Sequence, residues 1–194
     1  MNAKLLPLKL LLIMLMLVSA VKAQIILNPD RKPVVGDSFT TSYMDTTGVT
    51  EGPSGSNIAW DFSNLIATGE QWNVQYVDPS VAPNHSLYPD ADIAVSYDGI
   101  AHTFYDTDGN SVNSLGVAYE GYSIVYSNSE KVAEFPFTLS ATFVDSFNAA
   151  YQISGRVKIK NFGRIKMIGD AFGTIVLPDG STRSTLRVKI DRES

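Results

Sequence analysis

Asp98-Gly99, Asp108-Gly109 and Glu120-Gly121 cut the middle of the chain into runs of about ten residues, too short between turns for helices to build a core. The runs themselves, Ile100 to Tyr105, Val112 to Tyr119 and Tyr122 to Tyr126, carry the β-branched and aromatic residues that suit a pleated, half-buried surface. Further on, Gly169 to Ile190 reads as two strands joined by Pro178-Asp179-Gly180, where proline presets φ and glycine accepts positive φ at little cost. Leu186, Val188 and Ile190 alternate with Arg187 and Lys189, which predicts one buried and one wet face.

The same signals extend to both sides. Ile25 to Leu27 is a short strand candidate, and Ser38 to Met44 follows Gly36-Asp37. Ile58, Trp60 and Phe62 alternate, and so do Trp72, Val74 and Tyr76 within Gln71 to Val77. Lys131 to Phe137 and Ala141 to Phe147 continue the series. Tyr151, Ile153, Val157 and Ile159 share a face across Gly155, a candidate bulge, and Asn161-Phe162-Gly163 is expected to turn the chain. Thr46 to Asn57 and Asp78 to Asp92 have loop composition. No stretch holds a helical period over three turns. The expected fold is all-β, an antiparallel, jelly-roll-like β-sandwich of about a dozen short strands.

Residues 1–23 stand apart. Lys4 and Lys9 precede the apolar run Leu10 to Val18, which ends at small residues and Val21-Lys22-Ala23, the pattern of a cleaved Sec signal peptide. The run is shorter than the roughly 20 residues that span a bilayer. Residues 24–194 are then one secreted or cell-surface domain without membrane insertion, and loss of three lysines takes the formal charge from −5 to −8. Such a balance argues against nucleic acid, whose phosphates need clustered cations. The chain has no cysteine, which excludes disulfides, thiol catalysis and thiolate metal sites.

Several pieces together carry a resemblance: Gly36-Asp37-Ser38-Phe39, Gly55-Ser56-Asn57 leading to Trp60-Asp61-Phe62-Ser63-Asn64-Leu65, Phe135-Pro136-Phe137-Thr138-Leu139 with Asp145-Ser146-Phe147, and Gly173 to Gly180 with Leu186-Arg187-Val188. The chain resembles secreted proteins of Bacteroidota type, many of them cargo of the type IX secretion system and of unknown function. The resemblance implies an extracellular or surface β-domain and assigns no catalytic residue. Such proteins often continue into a C-terminal sorting domain after the Leu-Arg-Val strand, whereas this sequence stops at Ser194, as a short member or a fragment would.

Four constellations bear on chemistry. Gly36-Asp37-Ser38 resembles the nucleophile block of GDSL-type esterases, yet neither His85 nor His102 has an aspartate three residues before it to complete such a site. Asp106, Asp108 and Asn110 echo the opening of a calcium loop, but the glycine comes fourth and position twelve is Val117; a hairpin turn explains the same residues. Trp72 and Tyr76 are candidates for a sugar-stacking platform, against the commoner role of such residues in cores. Arg156, Lys158, Lys160 and Lys166, with Arg164, form a basic stripe suited to an acidic glycan or a partner's carboxylates, or simply a solvated face. No cofactor motif is present. The sequence therefore points to a non-catalytic module binding a glycan or a surface protein, with a glycan hydrolase or a structural module of a larger surface protein as alternatives.

Overall fold

The computed structural model describes residues 24–153 and 157–194. Residues 1–23, where a signal peptide is expected, and residues 154–156, with the expected bulge at Gly155 and the basic Arg156, lie outside the described residues. The strands are β1 (Ser38–Met44), β2 (Gly55–Asp61), β3 (Ala67–Val77), β4 (Ile93–Tyr97), β5 (Ala101–Asp106), β6 (Ser111–Tyr119), β7 (Tyr122–Glu134), β8 (Thr142–Ile153), β9 (Val157–Val176) and β10 (Thr182–Glu193). Hydrogen bonds join them into one mostly antiparallel open sheet in the order β1-β3-β4-β5-β6-β7-β8-β9-β10. The all-β expectation holds, with fewer and longer strands than a dozen short ones.

β9 holds the C-terminal half together. Its first part pairs with β8, Ile153 facing Val157 and Thr142 facing Ile168. Its second part pairs with β10 through the expected Pro178-Asp179-Gly180 turn. Beyond the end of β8, the same edge of β9 takes β2 in parallel, with Trp60 opposite Ile175. That parallel pair departs from the all-antiparallel expectation, and it joins segments more than a hundred residues apart.

Two readings change. Ile153 at the end of β8 pairs antiparallel with Val157 at the start of β9, so Tyr151–Ile153 and Val157–Ile159 belong to two strands, and β9 runs straight through Asn161-Phe162-Gly163 instead of turning. Alternation could not separate these cases, because Tyr151 pairs with Ile159 and Ile153 with Val157, so cross-strand partners share the face that a continuous strand would give them. Gly163 is a packing glycine. A Cβ there would overlap the carbonyl oxygen of Glu193 and the ring of fully buried Phe147. Ile25 to Leu27 forms no strand, only a single bridge from Leu27 to Phe137.

Among the described residues, two clusters gather part of the buried apolar surface. Ala82 and Tyr88, from the Asp78–Asp92 segment, cover Ala94, Phe104 and Ala118 on β4 to β6. The segment therefore acts as a cover with two short 3-10 turns, Pro79–Val81 and His85–Leu87. Tyr88 stacks on Phe104 with ring centroids 4.0 Å apart and donates its hydroxyl to the Ile124 carbonyl at 3.0 Å. Burial pushes its phenol pKa up to about 12. The second cluster gathers Phe137, Phe143, Ile165 and Met167 beneath Leu27, Leu186 and Val188.

Candidate functional site

The alternation of β3 sends Trp72, Val74 and Tyr76 to one face, and the pairing extends that face across the sheet. Thr41 on β1 lies opposite Trp72, and Tyr97 on β4 lies opposite Val74. Thr103 on β5 lies opposite Val95, Val117 opposite Thr103 and Tyr119 opposite Ala101. Together they line an open groove of about 350 Å³ with Tyr43, Trp72, Tyr97 and Tyr119 as its aromatic walls. Tyr119 is braced by Tyr122, stacked at 4.8 Å.

β1 is also held to β3 from the face behind the groove. On the reverse face Thr40 Oγ1 donates to Asn73 Oδ1 at 3.0 Å and Gln71 Nε2 donates to Ser42 Oγ at 3.1 Å. Asp98 Oδ1 accepts from both the backbone N–H and Nδ2 of Asn73, at 3.0 and 2.9 Å. These bonds fix β1 on β3 without filling the aromatic side. Tyr76 lies further along the same face, 6.2 Å from the ring of Phe39. Burial, then the neighbouring phenol of Tyr97 and carboxylate of Asp37, raise its pKa; burial raises that of Tyr105 too, so both stay neutral hydrogen-bonding groups.

No family model, curated protein or solved structure matches this chain. Trp72 comes together with Tyr43, Tyr97 and Tyr119 from three other strands, whereas Tyr76 is not among the residues that line the groove. Lys158, Lys160 and Lys166 are exposed on β9 and share a face with Arg164, as even spacing on one continuous strand requires. They are not an uninterrupted cationic stripe: Asp191 stands opposite Lys166 and Glu193 opposite Arg164, while exposed Phe162 separates Lys160 from Arg164. Local spacing gives no sign of these β10 acids, since they lie 25 and 29 residues further along the chain than the cations they face.

Asp106 and Asp108 meet a residue that sequence spacing did not suggest. One carboxylate oxygen from each of Asp92, Asp106 and Asp108 falls within 4.8 Å of the others, chemistry that suits a divalent cation. The same carboxylates already serve the turn: Asp92 Oδ2 accepts from the Thr107 N–H at 2.7 Å and Asp106 Oδ1 from the Asp108 N–H at 2.9 Å. Lys32 Nζ bonds to the carbonyls of Thr107 and Gly109 in this turn. Around Ser38, Asp37 turns its carboxylate back onto the Val34 N–H, 3.0 Å away. His102 is buried opposite Ser96, its Nδ1 has no hydrogen-bond partner, and burial lowers its pKa.

Arg187 corrects the simple wet-face reading of β10. An extra residue in β9 at Asp170 breaks the register there, and the bulge aims its carboxylate at the guanidinium. Arg187 Nε and Nη2 donate to the two oxygens of Asp170 at 2.8 and 2.7 Å, and both side chains are about four-fifths buried. Hydrogen bonding from Arg187 holds the Asp170 carboxyl below its ordinary range, against the opposing effect of burial. A depressed folded value contributes stability above the unfolded pKa of about 3.9, lost as pH falls through the folded value. In urea unfolding, the stability gap between the native protein and Arg187→Met should therefore be wide at pH 6 and narrower at pH 3. A gap independent of pH would show that the pair does not hold Asp170 ionised.

Proposed function

We propose that this protein is an exported, non-catalytic module that binds a glycan through the Trp72 groove. The observation that carries the reading is the groove itself: four aromatic side chains from β1, β3, β4 and β6 line one open face, with the Thr41 and Thr103 hydroxyls between them. Aromatic faces suit the C–H faces of sugar rings, and hydroxyls suit their edges. None of the residues lining this groove is an acid, which favours binding over carboxylate-assisted hydrolysis. The signal pattern of residues 1–23 and the resemblance to type IX cargo support a secreted or cell-surface location. In the same reading the sheet counts as a β-sandwich whose layers are its two halves. Support for a second layer comes from Ile93 and Val95, buried on the face of β4 opposite to the Asp78–Asp92 cover.

Affinity electrophoresis against a polysaccharide panel, with reducing ends followed in the same samples, tests the proposal. Retardation without cleavage is expected, and Trp72→Ala should weaken it at least tenfold, about 1.4 kcal/mol, while unfolding is little changed. Cleavage would establish the hydrolase alternative. Full retention of binding by Trp72→Ala would move the ligand off this groove.

A further inference from the structure

The segment Thr46 to Pro53 has loop composition but is fastened down. Thr47 N–H donates to Asp45 Oδ1 at 2.9 Å and Val49 N–H to the Thr46 carbonyl at 3.0 Å. Arg187 Nη1 reaches the carbonyls of Glu51 and Gly52, and Lys189 lies 3.6 Å from the Glu51 carboxylate. The loop is thereby tied to β10, and beneath it stands Trp60.

Trp60 is only 7% exposed, yet its indole Nε1 has no hydrogen-bond partner. A buried donor left without an acceptor costs on the order of 1–3 kcal/mol. Gly52 closes over this atom with φ +69°, and a Cβ there would lie 3.5 Å from Nε1. The absence of a side chain at Gly52 keeps that approach to the N–H uncrowded. Two cavities of about 420 and 550 Å³ meet at the indole, each within the range of small-molecule sites. One is walled by Thr47, Thr50, Asp61, Asn64 and Leu65, the other by Val49, Phe62, Ile175 and Leu186.

The wall chemistry selects the ligand. The guanidinium of Arg187, 5.6 Å from the centre of the Trp60 ring, is already occupied by Asp170 and the loop carbonyls, and Lys189 faces Glu51. An anion would therefore find no uncommitted cation. Asp61 Oδ1 accepts from the Ser63 N–H and hydroxyl at 2.9 and 2.6 Å, which leaves the second carboxylate oxygen to accept from a ligand hydroxyl. The orphan indole donor calls for a strong neutral acceptor, and the Val49–Phe62–Leu186 side calls for an apolar group beside it.

We propose that the Trp60 cavity is a second ligand site, distinct from the Trp72 groove, which takes an uncharged N-acetylated hexosamine. The acetamido carbonyl accepts from Trp60 Nε1–H, the methyl group rests on the apolar wall, and the ring hydroxyls meet Thr47, Thr50, Asp61 and Asn64. The site does not depend on glycan binding at Trp72.

With two tryptophans in the chain, Trp72→Phe leaves Trp60 as the sole indole reporter. Titrating this variant with N-acetylglucosamine should give a saturable change in tryptophan emission, with methyl glucoside, which lacks the amide, at least tenfold weaker. By calorimetry, Trp60→Phe, which keeps a ring and removes the N–H, should weaken N-acetylglucosamine at least tenfold. Should Trp60→Phe fail to fold, Asn64→Ala decides instead: Asn64 is exposed, and its loss should weaken binding at least threefold with unfolding unchanged. No saturable change, equal affinity for the two sugars, or unaltered binding by the folded variants would each overturn the assignment. Since the reporter variant lacks Trp72, failure of the groove proposal leaves this result untouched.

Discussion

Gly173→Ala is expected to detach β2 from the sheet and to lower stability by about 3 kcal/mol or more. A Cβ at Gly173 would overlap the Ile58 carbonyl oxygen and lie 2.6 Å from the backbone N and C of the same residue. These atoms belong to the parallel ladder between β2 and β9, so no side chain can rotate away to relieve the overlap. Urea unfolding measures the loss, and the emission of Trp60 should shift to the red as its indole meets water. An unchanged midpoint with unshifted emission would mean that β2 does not lie against β9.

Phe104→Ala is expected to cost about 3–5 kcal/mol, the range for emptying a closely packed aromatic site. Phe104 is fully buried between β4, β6 and the Asp78–Asp92 cover, and it is the surface on which Tyr88 stacks. The bond from the Tyr88 hydroxyl to Ile124 tethers one end of the cover and cannot replace the lost ring. Amide exchange at Ala82 and Tyr88 should accelerate more than in β9, and the exposed neighbour Ile100→Ala should stay within about 0.5 kcal/mol of the native protein. A loss below about 1 kcal/mol would show that the cover does not rest on Phe104.

Much of the fold is legible wherever turn chemistry and alternation agree. The Pro178-Asp179-Gly180 hairpin, the Trp72–Val74–Tyr76 face and the short strands around Asp98-Gly99 follow from local rules, and each stands where those rules put it. Gly163 misleads because a glycine that makes room for Phe147 looks, in sequence, like one that turns the chain. The parallel docking of β2 has no local signature, since its partner is chosen by tertiary packing. Of the candidate site, β3 is visible in the sequence and its neighbours are not: Tyr43, Tyr97 and Tyr119 join Trp72 through register across four other strands. Asp170 does leave a signal, an acid inside an apolar strand one step from the position facing Arg187 when residues are counted back from the hairpin turn.

The route by which β2 joins β9 also sets an order in time. Gly55 faces Ala171 and Trp60 faces Ile175, so the edge that receives β2 is synthesised long after β2 itself. The cavity beside Trp60 borrows Ile175, Leu186 and Arg187 for its far wall. A nascent or prematurely ended chain that stops before β9 carries the tryptophan but not the pocket. The far wall beside Trp60 is thus assembled only once β9 and β10 have been made.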